Sequence, residues 1–144
     1  MENTLKLIEK LIKSTFDNRI QWRLLREVHG GNRQISKYIS RNMETILTIN
    51  MDTIFDITAH INVDNSYVVN YSNGYIFLIT KNLIDNQEKL FYYLAIQKNE
   101  SSEIIELNTA NEYQIELIRL CNSVNGQLGN LNEFITGFLN DPSI

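Results

Sequence analysis

Leu5, Ile8, Leu11 and Ile12, continued by Thr15 or Phe16, recur at steps of three and four residues. With Leu7 alongside, they draw an apolar stripe that predicts a helix from about Asn3 to Phe16. Asp17-Asn18 is a turn signal. Ile20, Trp22 and Leu24 then alternate with Arg19, Gln21 and Arg23, the period of a half-buried strand. His29-Gly30-Gly31-Asn32 breaks the chain. Beyond it, Ile35, Tyr38 and Ile39 would share one face of a short helix within 33–43, with Arg33, Lys37 and Arg41 on another face; the same letters also fit an irregular connection. Leu47, Ile49, Met51, Phe55, Ile57, Ala59 and Ile61 all occupy odd positions. A two-residue hairpin at Asp52-Thr53 would mix the two faces, so one long bent strand or a three-residue loop pairing Met51 with Phe55 is expected over 45–61.

The surest local pattern is Tyr67 to Ile79, two apolar runs around Asn73-Gly74. Asn-Gly suits a type I′ turn, which needs positive φ at both central residues. That register sets Ser72 opposite Tyr75 and puts Tyr67, Val69 and Tyr71 on one face with Ile76, Leu78 and Thr80. Val68, Asn70, Tyr75, Phe77 and Ile79 fall on the other. Apolar residues on both faces predict a central hairpin, covered by helices on at least one side. Leu90–Gln97 and Glu103–Leu107 read as two more strands joined by a polar turn. Thr109-Ala-Asn-Glu112 has the form of a capping box and predicts a helix start. Tyr113, Leu117, Leu120, Cys121 and Val124 would be its buried stripe, and Gly126 its stop. Asn130-x-x-Glu133 would cap a last helix presenting Leu131, Phe134, Ile135, Phe138 and Leu139 before Asp141-Pro142. The order predicts an α+β fold. It has an antiparallel β-meander of about 5–7 strands, an N-terminal helix and two C-terminal helices packed on one face. No repeat or linker interrupts it, so residues 1–144 are read as one domain.

Composition adds modest limits. At 144 residues with 43% hydrophobic and 21% charged side chains, the chain is long enough to bury roughly 68–70% of its unfolded surface. Cys121 is the one cysteine, which excludes an intramolecular disulfide and fits a reducing, cytoplasmic setting. The N-terminal stretch alternates charge with apolar residues, unlike a secretory signal. No window approaches the ~18 apolar residues of a membrane span. Abundant Asn and Ile with scarce Ala read as the codon bias of an AT-rich genome, which makes Asn a poor guide to function.

Charge changes the picture more. Residues 1–41 hold nine bases and four acids, net +5, while residues 42–144 hold four bases and thirteen acids, net −9. Such polarity steers a partner, joins two copies, or cancels within the fold. Arg19, Arg23, Arg26, Arg33, Lys37 and Arg41, with His29, surround the Gly-Gly break. Guanidinium groups near a helix start suit phosphate or carboxylate. His-Gly-Gly-Asn is nevertheless neither a P-loop nor a dinucleotide fingerprint. A sequence pI of 5.2 is also unlike an overall basic nucleic-acid binder.

Asp56, Thr58 and His60 would form a polar row with acid–base capacity but no nucleophile at recognisable spacing. An exposed strand face has the same letters, and no catalytic residue is assigned. Tyr67, Tyr71 and Tyr75 are candidate anchors for a partner, although cross-strand aromatics also stabilise sheets. No metal-ligand spacing and no cofactor motif occurs.

In size and charge the outline is similar to secretion chaperones and toxin-immunity proteins. The expected function is a small intracellular non-enzymatic protein-binding protein, from a mobile element or phage, with a protein partner or self-association. The alternative is an anion, nucleotide or nucleic-acid binder using the basic 19–41 segment; no membrane association is expected.

Overall fold

A computed structural model of the chain describes residues 2–28, 33–39, 59–83, 90–129 and 131–144. Helix α1 (Glu2–Phe16) leads into β1 (Arg23–Leu24), the short α2 (Leu25–Val28) and a further helix α3 (33–39). Five strands follow: β2 (Ala59–Ile61), β3 (Tyr67–Tyr71), β4 (Gly74–Leu83), β5 (Leu90–Gln97) and β6 (Ile105–Glu106). The helices α4 (Gln114–Leu128) and α5 (Leu131–Leu139) close the order. The fold is α+β, and its antiparallel sheet runs β1-β3-β4-β5-β6, with β2 also paired to β4.

The β3–β4 hairpin is central, and its two faces build two cores. On one face, Tyr67, Val69, Leu78 and Leu94 pack with Ile8 and Leu11 of α1, Trp22, and Leu117, Leu120 and Val124 of α4. On the other, Val68, Phe77, Ile79 and Ala95 pack with Leu25 of α2 and Ile35 and Tyr38 of α3. Burial of these apolar faces is the main driving force for the arrangement.

In α1 the Thr15/Phe16 alternative resolves to Thr15. Thr4, Ile8, Leu11 and Thr15 are buried, and Phe16 is 67% exposed. The helix ends as the Asp17-Asn18 signal predicts. Asn18 takes φ 56°, the Arg19 N–H donates to the Ser14 carbonyl at 2.8 Å and the Asn18 N–H to the Thr15 carbonyl at 3.1 Å. This is a Schellman motif with Asn in the left-handed position.

Several expectations are corrected. The alternating Ile20–Leu24 segment contributes only two residues to the sheet, because β1 turns into α2 at Leu25, whose side chain enters the second core. The hairpin pairs Tyr71 with Gly74 rather than Ser72 with Tyr75. The shift is even, so every face assignment stands. Ser72 carries the positive φ, and Gly74 is required by space: an added Cβ would lie 2.1 Å from the Gln97 carbonyl oxygen.

Half of the box forms: the Thr109 N–H donates to Glu112 Oε1 at 2.9 Å, while the Glu112 N–H donates to the Thr109 carbonyl at 3.2 Å. They close a turn, and α4 begins at Gln114 after Tyr113 in the left-handed region. Gly126 lies inside α4, which continues to Leu128 and is capped at Gly129. The predicted strand Glu103–Leu107 forms a ladder at Ile105 and Glu106, with one further backbone bond from the Leu107 N–H to the Leu94 carbonyl at 2.7 Å. Asn108 takes over beyond them, since its side-chain oxygen accepts the Leu94 N–H and its nitrogen donates to the Tyr92 carbonyl. The 33–43 helix is present over 33–39, and of the 45–61 pattern only Ala59–Ile61 falls among the described residues.

Candidate functional site

The basic segment does not form one described cluster. Arg23 donates to Asn70 Oδ1 at 2.7 Å, and Arg26 meets Asp64 at 3.4 Å. Both are solvent-exposed contacts of small energetic weight. Arg19 is exposed in the turn after α1, and Arg33 and Lys37 are exposed one turn apart on α3. His29 and Arg41 lie outside the described residues. The tyrosines do not converge either. Tyr67 is buried, with its hydroxyl donating to Asn125 Oδ1 at 2.7 Å. Tyr75 faces the opposite core and donates to Glu100 at 3.2 Å. Tyr71 is 73% exposed beside a 370 Å³ groove between α1 and the sheet. His60 stands opposite Asn82 in the β2–β4 pair, while Asp56 and Thr58 lie outside the described residues.

A polar cleft of about 540 Å³ lies at the tips of the β3–β4 and β5–β6 turns, lined by Asn70, Ser72, Asn73, Asn99, Glu100 and Ser101 among others. Most of its lining residues are exposed, so it lacks the water-excluding walls that catalysis or tight small-molecule binding uses. Burial pushes the Cys121 thiol up, against a smaller opposing contribution from Asn125, so at neutral pH it is a protonated, poorly nucleophilic group. Among the described residues, no group of three or more His, Cys, Asp or Glu could hold a metal ion. No described helix is long and apolar enough to cross a membrane.

The strongest surface feature is apolar. Gly129 ends α4, its N–H donating to the Asn125 carbonyl at 2.9 Å, and α5 departs at once. Along α5, Phe134, Ile135, Phe138 and Leu139 remain between 53% and 75% exposed. The amphipathic stripe read from the sequence is therefore present, and it faces solvent rather than the sheet. Phe16 continues it: a shallow depression of about 840 Å³ is lined by Phe16, Asp17 and Asn18 on one side and Ile135, Thr136 and Leu139 on the other. Phe16 also borders a second depression of about 370 Å³ with Glu9, Ile12, Lys13 and Arg119. One side chain thus joins α5 to the outer seam of α1 and α4. The sequence offers Phe16 only as an alternative to Thr15 on the α1 stripe and reads α5 as one more apolar helix face. The helical period alone does not say whether the partner of a stripe is the chain itself.

The chain matches no protein-family model, no curated protein and no solved structure.

Proposed function

We propose that this chain is a small non-enzymatic binding protein that works through a protein interface centred on α5 and the end of α1. The observation that carries the reading is the solvent exposure of Phe134, Ile135, Phe138 and Leu139 together with Phe16. Monomeric proteins seldom leave contiguous apolar patches beyond about 300–600 Å², and such patches mark interaction sites. Exposed phenylalanines on a helix provide anchors for a facing groove or helix. An intracellular setting suits a chain whose single thiol is half-buried and whose exposed face needs a partner. The test is to replace Phe134 and Phe138 together by aspartate. The double variant is expected to melt within a few degrees of the parent and to lose the protein that the parent retains, whether that is another chain or itself. A parent that binds neither other proteins nor itself overturns the proposal.

The alternative, an anion or nucleic-acid site, draws support from exposed Arg19, Arg33 and Lys37. It predicts that a low-salt gel shift or nucleotide panel shows binding that weakens steeply with added salt. Arg33→Glu with Lys37→Glu should abolish that binding. An empty panel at low salt eliminates this reading.

A further inference from the structure

We infer that the occupant of the α5 surface is a second copy of this chain, with each α5 laid across the Ile12–Phe16 seam of the other. This rests on the interface reading above and adds the partner's identity. Charge selects the pairing. Residues 131–144 contain Glu133 and Asp141 and no base, so two such segments placed face to face would offer each other no opposite charge. The seam bordered by Ile12 and Phe16 is flanked instead by Lys13 and Arg119 against Glu9, with Asp17 just beyond Phe16, so it is close to neutral rather than acidic. An acidic apolar helix therefore matches this seam better than it matches itself. Each copy has both surfaces, and with the two contacts formed reciprocally within one pair the assembly is a closed two-fold dimer.

The area suffices. Fully burying an aromatic side chain removes about 150–250 Å². At the exposures given above, Phe16, Phe134, Ile135, Phe138 and Leu139 would each contribute about 100 Å² or somewhat more. That is roughly 500–600 Å² per copy, or on the order of 1,000 Å² across the pair before any polar rim is counted. Specific interfaces begin near that size.

Sedimentation velocity on the full chain tests the idea. At tens of micromolar the chain should sediment as two copies, and Phe138→Asp should sediment as one while keeping its helical circular dichroism. Lys13→Glu with Arg119→Glu, which leaves the apolar residues in place, should raise the dissociation constant about tenfold or more. Mixing that variant with Glu133→Lys/Asp141→Lys should restore association. A dimer indifferent to both the Phe138 and the charge-reversal variants overturns the inference. So does a chain that remains single at several hundred micromolar. If such a single chain still holds another protein through Phe134 and Phe138, the interface proposal survives and only the second copy is lost. If it holds none, both fall.

Discussion

Replacing Lys81 by methionine is expected to cost about 3 kcal/mol of folding stability, read from urea unfolding. Lys81 Nζ lies 2.9 Å from Glu106 Oε2, and the two side chains are only 11% and 27% exposed. The ammonium also sits over the Tyr93 ring, 4.3 Å from its centroid, and the Tyr38 hydroxyl donates to the same Glu106 oxygen. These residues come from β4, β6, β5 and α3, so one charged cluster ties four elements on the second face of the sheet. Removing the ammonium leaves a carboxylate with reduced access to water. That desolvation penalty, more than the attraction itself, is what the variant exposes. A cation–π contact adds about 0.5–2 kcal/mol to the loss.

The diagnostic partner is Glu106→Gln, which removes the carboxylate but keeps an acceptor for Tyr38. Combining it with Lys81→Met should recover most of the stability, because no buried charge then lacks its counterion and the thioether still packs against Tyr93. The two single losses should therefore fail to add by more than about 1.5 kcal/mol. Amide exchange should accelerate first in α3 and β6, since the two-residue β6 has little ladder of its own. A Lys81→Met cost below about 0.5 kcal/mol would mean that water already serves Glu106 and that the cluster is not a tie.

Lys81 also shows where sequence reading stops. In the run Tyr75 to Leu83, alternation placed Phe77 and Ile79 correctly on one face, and continuing that parity puts Lys81 beside them. Hydropathy argues the other way, because lysine is almost never fully buried unless paired. Its partner, Glu106, lies 25 positions later in the predicted strand Glu103–Leu107, and no local pattern in the sequence links the two. Elements whose signal is local were legible: α1 with its Asn18 terminus, the central hairpin with both faces, β5, and the stripe of α4. Boundaries set by tertiary contacts were not. Leu25 leaves the strand pattern to fill the second core, and the helix start moves from Thr109 to Gln114 because Asn108 and Gln114 are taken up by the edge of β5. The proposed interface was half legible. The apolar letters of α5 predicted an amphipathic helix, but a helical period carries no information about which body the stripe will meet. The asymmetry of charge was legible as well, though much of its early cationic part lies on the outer face of α1, where Lys6, Lys10 and Lys13 are exposed.

Gln127→Ala is expected to cost about 3 kcal/mol, and this residue fixes the frame on which the proposed interface stands. Gln127 is 8% exposed near the end of α4. Its side-chain oxygen accepts the Trp22 backbone N–H at 2.9 Å, and its nitrogen donates to the Ile20 carbonyl at 2.7 Å and to Asn18 Oδ1 at 3.2 Å. Trp22 in turn donates from Nε1 to Thr15 Oγ1 at 2.8 Å, and that hydroxyl donates to the Leu11 carbonyl at 2.6 Å. Truncation leaves a buried donor and a carbonyl without partners, each costing about 1–3 kcal/mol when desolvated, and it opens a void beside Trp22.

Gln127→Glu separates hydrogen bonding from packing. The carboxylate can still accept the Trp22 N–H, but it also faces the Ile20 carbonyl and Asn18 Oδ1, two acceptors. The introduced acid should therefore be harder to ionise in the folded state than in the unfolded chain. Its penalty should be nearly absent below the ordinary glutamate pKa of about 4.3. It should then grow as pH rises, until the folded acid ionises as well, because the folded state binds more protons in that window. A pH series of melting temperatures, compared with the parent, measures this directly. A Gln127→Glu variant whose deficit is constant from pH 4 to 8 contradicts the assignment of donor and acceptor. The same contacts hold the end of α4 against the Asn18 turn, which sets where α5 leaves and where Phe16 stands relative to Ile135. Gln127→Ala should consequently weaken self-association even at temperatures where the domain remains folded, although Gln127 does not line the interface depressions.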